Sequence, residues 1–326
     1  MSLNKALSIV VTGANGFVGQ HVSREILRRG HSLTCATRTA YKLEQANCVQ
    51  VGDIHAQTNW HAALHNQDIV IHCAARVHVM NETASDPLQA FRAVNVEGTM
   101  ALAQQAEQAG VRQFIYLSSI KVSGEITHDA PFTEEQAPQA TDPYGISKLE
   151  AENALLAFAK TSKMIITIIR PPLVYGPGVS ANFLAMLKLV RKQWPLPFAS
   201  IQNQRSMVYV GNLVDFILHC IDHPRVDQQV FLISDGRDLS TPELLRLCAD
   251  ALHVQSRLFN FPVSALLFGT SLIGKRAIAE RLCYSLQVNS DKARILLNWQ
   301  APFTVEQGLA ATCLALTTFN SHTTKN

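Results

Sequence analysis

The sequence contains no CxxC pair, no run of like charges and no apolar stretch long enough to span a bilayer. Its seven cysteines, Cys35, Cys48, Cys73, Cys220, Cys248, Cys283 and Cys313, are odd in number and lack metal-ligand spacing. They read as free, buried thiols in a reducing compartment, with no metal centre. Charged residues make up only 16% of the chain, and the net charge of +3 comes from scattered lysines and arginines. A nucleic-acid footprint requires those cations to be clustered, so no nucleic-acid partner is expected. The start, MSLNKALSIVVTG, runs from polar residues into an apolar strand pattern without the features of an export signal. A cytoplasmic location is the expectation. The uncharged stretch Leu258 to Gly274 includes Asn260, Pro262 and Gly269. It is shorter than the ~20 apolar residues of a spanning helix, so packing as a core or surface helix is expected and no membrane span.

What is present is apolar. A chain of 326 residues that is 47% hydrophobic can bury a large core, or a core and a smaller lobe. Short branched or apolar runs predict strands at Leu7 to Thr12, Ser32 to Ala36, Val49 to Val51, Ile69 to Cys73, Gln113 to Leu117 and Ile165 to Ile169. Between them, Val18 to Arg29, Trp60 to His65, Leu88 to Gly110 and Tyr144 to Lys163 have helical spacing or composition. Strands separated by helices of this length imply a parallel sheet covered on both faces, the doubly wound α/β architecture. Beyond Gly176 the pattern predicts helices at Asn182 to Lys192, Leu213 to Ile221, Pro242 to Leu252 and Asp291 to Leu297, and strands at Met207 to Val210 and Val230 to Ser234. The final residues, Ser321 to Asn326, are expected to fray.

The first strand leads into Thr12-Gly13-Ala14-Asn15-Gly16-Phe17-Val18-Gly19, which opens a helix. Gly13 suits a tight turn, Gly16 a close backbone approach to a pyrophosphate, and Gly19 close helix–strand packing. The helix N-terminus adds amide donors and partial positive charge for the anion. Residues 1–176 therefore read as a dinucleotide-binding domain to which 206–238 return, while 177–205 and 239–326 form a smaller substrate lobe and C-terminal segment. At the end of the second strand stand Thr37 and Arg38, with no carboxylate for an adenosine ribose. Either NAD or NADP is possible there, and Arg38 favours NADP because a guanidinium suits a 2′-phosphate. Asp53 and the neighbouring Ile54 are candidates for the adenine, and Ala74 and Ala75 are small enough for a dinucleotide to cross the sheet edge.

Tyr144-Gly145-Ile146-Ser147-Lys148 begins a helical pattern, so the i, i+4 spacing puts phenol and ammonium on one face. A fixed cation stabilises phenolate, so Lys148 is expected to lower the Tyr144 pKa and make proton transfer accessible. Ser119 follows an apolar strand at the carboxyl edge of the sheet, where ligands of such folds bind; Ser118 is its competitor.

These motifs, TGANGFVG, GDI, HCAA, NVEGT, YLSS, YGISK and RPPLVYGPG, resemble in their order the extended short-chain dehydrogenase/reductases, in the nucleotide-sugar epimerase/dehydratase branch. The resemblance implies a Rossmann fold, with Tyr144 as acid/base, Lys148 on the nicotinamide ribose and Ser119 on the reacting sugar hydroxyl. It further implies cofactor contacts near Asn95, Pro171 and Val174, and substrate contacts at Asn182, Arg205 and Arg281 with a UDP-linked sugar. Aligning Gly124 with the family's glycine selects Ser119 over Ser118. Hexose dehydratases of this family carry an Asp-Glu pair after the Ser; here Ile120 and Lys121 stand there, which argues against dehydration. Leu173 and Asn212 depart from the usual Asn and Asp. The expected activity is hydride transfer at C4 of a UDP-hexose, as a 4-epimerase. The alternatives are an NADPH-dependent 4-keto reductase and, from another class, a non-catalytic redox sensor; a homodimer is compatible with the family.

Overall fold

The computed structural model describes residues 6–77, 86–272, 274 and 276–323. In the first half β1 (Ser8–Thr12), α1 (Phe17–Arg28), β2 (Ser32–Thr37), β3 (Asn47–Gln50), α2 (His61–Leu64), β4 (Ile69–His72), α3 (Pro87–Arg92), α4 (Thr99–Gln108), β5 (Gln113–Leu117), α5 (Pro143–Ala159) and β6 (Ile165–Arg170) alternate. They are followed by β7 (Leu173–Tyr175), α6 (Ala181–Arg191), β8 (Met207–Tyr209), α7 (Val210–His219), β9 (Gln229–Leu232), α8 (Thr241–Ala251), α9 (Val263–Leu272), α10 (Arg276–Cys283), α11 (Asp291–Leu297) and α12 (Val305–Thr323).

Seven strands form one parallel sheet in the order β3-β2-β1-β4-β5-β6-β9. Its strands are apolar at nearly every position because both faces are covered. Ile9 and Val11 of β1 pack towards Val22, Ile26, Leu213 and Phe216 of α1 and α7. Val10, on the opposite face, meets the cluster that holds Leu102 of α4 and Ala151 and Leu155 of α5. Each such fully buried aliphatic side chain contributes about 1.5–3 kcal/mol. The strand order reverses between β1 and β4, which opens the crevice where Rossmann-type sheets bind ligands. A third cluster, with Phe183 and Leu187 of α6, Leu245 and Cys248 of α8 and Leu309 of α12, forms the core of the smaller lobe.

Three features depart from the sequence expectations. Leu88 to Gly110 is not one continuous helix, because α3 and α4 are joined by a widened π-helical turn, Ala93–Gly98. That turn holds Asn95, which bonds the backbone of Arg76 and the Ser147 hydroxyl. Second, β8 pairs with the unanticipated β7 in a separate two-stranded sheet, so within 206–238 the strand that joins the main sheet is β9, beside β6. Third, α12 continues through Thr323, past the start of the segment expected to fray, while Thr324 to Asn326 lie outside the described residues, as do Met1 to Lys5. No helix among the described residues is long and apolar enough to cross a membrane.

Candidate active site

The glycine turn between β1 and α1 is shaped by lack of space. Gly13 has φ +65°, and a Cβ there would lie 2.9 Å from the backbone of Ala74. A Cβ on Gly19 would lie 2.1 Å from the Gly13 carbonyl oxygen. The helix start carries no acidic side chain in its first turn, which leaves its amides to an anion. A cavity of about 940 Å³ opens over this turn, lined by Gly13, Asn15, Gly16, Phe17, Val18 and Gly19. Its walls continue through Arg38, Asp53, Ile54, Ala74, Ala75, Pro171 and Val174 to Tyr144 and Lys148. Size, amide donors and the crevice position all fit a dinucleotide. Arg38 and Asp53 lie 4.0 Å apart at its rim, 74% and 84% exposed. Asn95 does not line this cavity; it is buried behind the wall with its amide committed to Arg76 and Ser147.

The reactive pair stands at the start of α5. Asp142 caps the helix, accepting from the Tyr144 and Gly145 backbone N–H groups at 3.0 Å, and Pro143 opens the first turn. One turn on, the buried Lys148 Nζ donates to the Leu117 carbonyl at 2.6 Å and lies 4.0 Å from the centre of the Tyr116 ring. Burial lowers the Lys148 pKa to about 7 against the opposing charges of Glu152 and Cys73. Burial also pushes the Tyr144 phenol up to about 12, against hydrogen bonding from Ser119, with the Asp142 charge raising it further. The expected lowering of the Tyr144 pKa by Lys148 is therefore not what this structure holds. Desolvation outweighs the lysine, whose own charge is disfavoured and whose ammonium is directed at Leu117.

The two serines separate cleanly. Ser118 is buried and donates to Glu152, which is itself clasped by Arg170 at 2.6 Å. Ser119 faces the cavity with Tyr144. At the end of β4, His72 is wedged between Thr12 at 2.6 Å and Thr99 at 3.0 Å, and burial lowers its pKa to about 3, so it stays neutral.

A second cavity, about 360 Å³, lies on the lobe side and is lined by Ser119, Tyr144, Leu173, Asn182, Arg205 and Arg281, with Met186, Leu244 and Leu286 among its apolar walls. Arg205 Nη1 donates to the Tyr284 carbonyl at 3.0 Å; burial and the neighbouring Arg281 charge both lower its pKa. The structure thus brings together every sequence-derived site residue except Asn95 along two cavities that share Ser119 and Tyr144.

Some residues were not anticipated. Lys121 pairs with Asp142 and Glu125 at 2.7 Å each, within the wall of the second cavity. The Glu152–Arg170 pair, 1% and 6% exposed, ties α5 to β6. The YGISK motif places Glu152 one further turn along the same helix face as Lys148, which is a signal that could have found it. Asn212 is explained as well: its amide donates to Asp235 at 2.7 Å and to the Phe303 carbonyl at 2.9 Å, where a carboxylate would be repelled by Asp235.

Residues 9–234 match the NAD dependent epimerase/dehydratase family. The chain is 44% identical over 317 residues to the UDP-glucose 4-epimerase of Vibrio cholerae, an alignment covering 96% of this chain and 97% of that protein. Among solved structures, a UDP-glucose 4-epimerase with UDP-glucose from Thermotoga maritima superposes with a TM-score of 0.76 at 22% identity, covering 96% of this chain and 100% of that one. MoeE5 in complex with UDP-glucuronic acid and NAD does so with a TM-score of 0.76 at 22% identity, covering 96% and 99%. At such identities the superpositions speak for the fold alone. With Tyr144, Lys148 and Ser119 assembled at a dinucleotide-sized crevice and the family match spanning most of the chain, this protein belongs to the NAD dependent epimerase/dehydratase family.

Proposed function

We propose that this enzyme is an NAD(P)-dependent UDP-hexose 4-epimerase. One observation carries the proposal: Ser119 and Tyr144 stand on the wall common to the dinucleotide cavity and the lobe-side cavity, where a sugar carbon would meet a nicotinamide. When bound, the nicotinamide supplies the acceptor and donor of hydride at C4. Epimerisation begins at a C4 hydroxyl, so Tyr144, protonated at neutral pH, must first release its proton to solvent. As phenoxide it takes the C4 hydroxyl proton as hydride leaves C4, and as phenol it returns that proton to the ketone oxygen as hydride comes back. Ser119 holds the same oxygen, and Lys148 is set one turn along to meet the cofactor ribose. In the lobe, Asn182, Arg205 and Arg281 receive the diphosphate; the mutual repulsion of the two guanidiniums is relieved by a dianion between them. That these three come from 177–205 and 239–326 supports assigning those segments to the substrate lobe. The seven unpaired thiols support a cytoplasmic location. A homodimer through the helices that flank Tyr144 is compatible with the family, and sedimentation velocity checks it.

A second reading, one-way reduction of a UDP-4-keto sugar with NADPH, is favoured by Arg38 at the end of β2. Asp53 at 4.0 Å works against it by opposing a 2′-phosphate. The test is to extract the cofactor from purified protein and follow UDP-glucose by NMR. Retained NAD with appearance of the 4-epimer is the expected result. No epimer, but stoichiometric NADPH consumption with a UDP-4-keto sugar, would establish the reductase instead.

A further inference from the structure

We infer that Cys35 and Cys48 are a peroxide-responsive thiol pair whose disulfide weakens dinucleotide binding. Cys35 of β2 is the direct parallel partner of Cys48 of β3, so both side chains project from the same face of the sheet. They meet there: burial, and after it the Cys48 thiol alongside, push the Cys35 thiol up to about 12. Partners on neighbouring strands stand about 4.8 Å apart, within the Cα separation of roughly 4.4–6.8 Å that a disulfide accepts. The two thiols differ in access. Cys35 is fully buried, whereas Cys48 is half-buried on β3, the edge strand of the main sheet. One sulfur can meet an oxidant while the other waits to resolve it. Cys248 and Cys313 also lie together, where α8 packs on α12, but both are 0% exposed and out of an oxidant's reach in the folded chain.

Hydrogen peroxide is the oxidant. The Cys48 thiolate attacks one peroxide oxygen, the O–O bond breaks, and the departing hydroxide takes up the thiol proton and leaves as water. The Cys35 sulfur then attacks the Cys48 sulfenic acid: the S–S bond forms, the S–O bond breaks, and hydroxide leaves with the Cys35 proton as a second water. Two thiols lose two electrons and one peroxide gains them. The bond reaches the cofactor site through the strands. From Cys35 the chain runs through Ala36 to Arg38, and from Cys48 through Val51 to Asp53, and these four residues line the dinucleotide cavity. Disulfide-bonded Cβ atoms lie only about 3.8 Å apart, so the bond draws β3 towards β2 by about 1 Å at this pair. The Val51 N–H donates to the Thr37 carbonyl at 2.9 Å and carries the shift to the rim, where Arg38 and Asp53 stand 4.0 Å apart. Loss of one hydrogen bond there costs the dinucleotide up to about 10-fold in affinity.

The test treats the cofactor-free full chain with a few equivalents of hydrogen peroxide, maps disulfides by mass spectrometry of unreduced peptides, and titrates NAD and NADP by calorimetry. A cross-linked Cys35–Cys48 peptide pair is expected, with dinucleotide affinity lowered by up to about 10-fold and both changes reversed by dithiothreitol. Cys48→Ser should bind dinucleotide as the reduced wild type does and lose the response to peroxide. Oxidation of Cys48 only to sulfinic or sulfonic acid, a Cys248–Cys313 bond in its place, or unchanged affinity of the cross-linked protein overturns the inference. So does an equal response to peroxide in Cys48→Ser. None of these readouts requires turnover, so they fail or succeed separately from the proposed epimerisation.

Discussion

Burial pushes the Tyr144 phenol up to about 12, so it holds its proton at neutral pH, and lowers the Lys148 ammonium to about 7. Tyr144→Phe keeps the ring against Phe91, 6.1 Å away, and removes the hydroxyl. It is expected to lower kcat about 10²–10⁴-fold with KM little changed, measured by epimer formation under saturating substrate. Lys148 affects stability as well. Its pKa falls from an ordinary 10.5 when unfolded to about 7 when folded, so between those values the unfolded chain binds one more proton. Stability from this group therefore rises with pH across that window, by about 1.4 kcal/mol per pH unit. Urea titrations of the cofactor-free protein at pH 7 and 9 should show the wild type gaining on Lys148→Met; a gap that stays constant refutes the assigned shift. At the proposed diphosphate site, Arg205→Leu should raise KM roughly 10–100-fold by removing a charge-assisted contact of about 1.5–3 kcal/mol, and leave kcat nearly intact. That these three residues line the cavities was legible because YxxxK is a local pattern and the QRSMVYV context follows the family order. Their protonation states were not legible, because burial of Tyr144 depends on elements distant in sequence, such as α3 and the segment after β5.

At the scale of elements, what was readable is what repeats locally. The first six strands of the main sheet and the glycine turn declare themselves through short branched runs and a fixed glycine spacing. Three residues of β7 after Pro171 and Pro172 are too few to show a period, and α9 lacks a polar face that would mark it as a helix on a core. Asn95 was placed beside the cofactor by its motif, but the widened turn of Ala93–Gly98 directs it inward to brace Arg76 and Ser147. Gly19→Ala tests the packing of α1 on β1. A methyl group 2.1 Å from the Gly13 carbonyl must displace the turn, at a cost of about 1–3 kcal/mol, and the purified variant should lose retained dinucleotide, read from its absorbance after denaturation. The tie between α5 and β6 is stronger. Arg170→Met strands the Glu152 carboxylate in a site 1% exposed, and a loss of about 3–5 kcal/mol is expected by chemical denaturation.

Across the whole molecule, the sheet and the lobe meet at a single reaction centre but differ in how firmly they are built. Ser118 after β5, Glu152 in α5 and Arg170 at the end of β6 are joined by buried hydrogen bonds. Helix α5 cannot swing away from the sheet without leaving ions unsolvated. Among the described residues, the lobe has no comparable buried charge lock around α9, where no residue is fully buried. This division has a consequence in time. Amide hydrogens of α5 around Lys148 should exchange only through unfolding of the whole chain, over hours, while those of α9 exchange within seconds. The catalytic helix is then set once, when the protein folds, and the arrival and departure of sugar nucleotides are timed by the lobe alone.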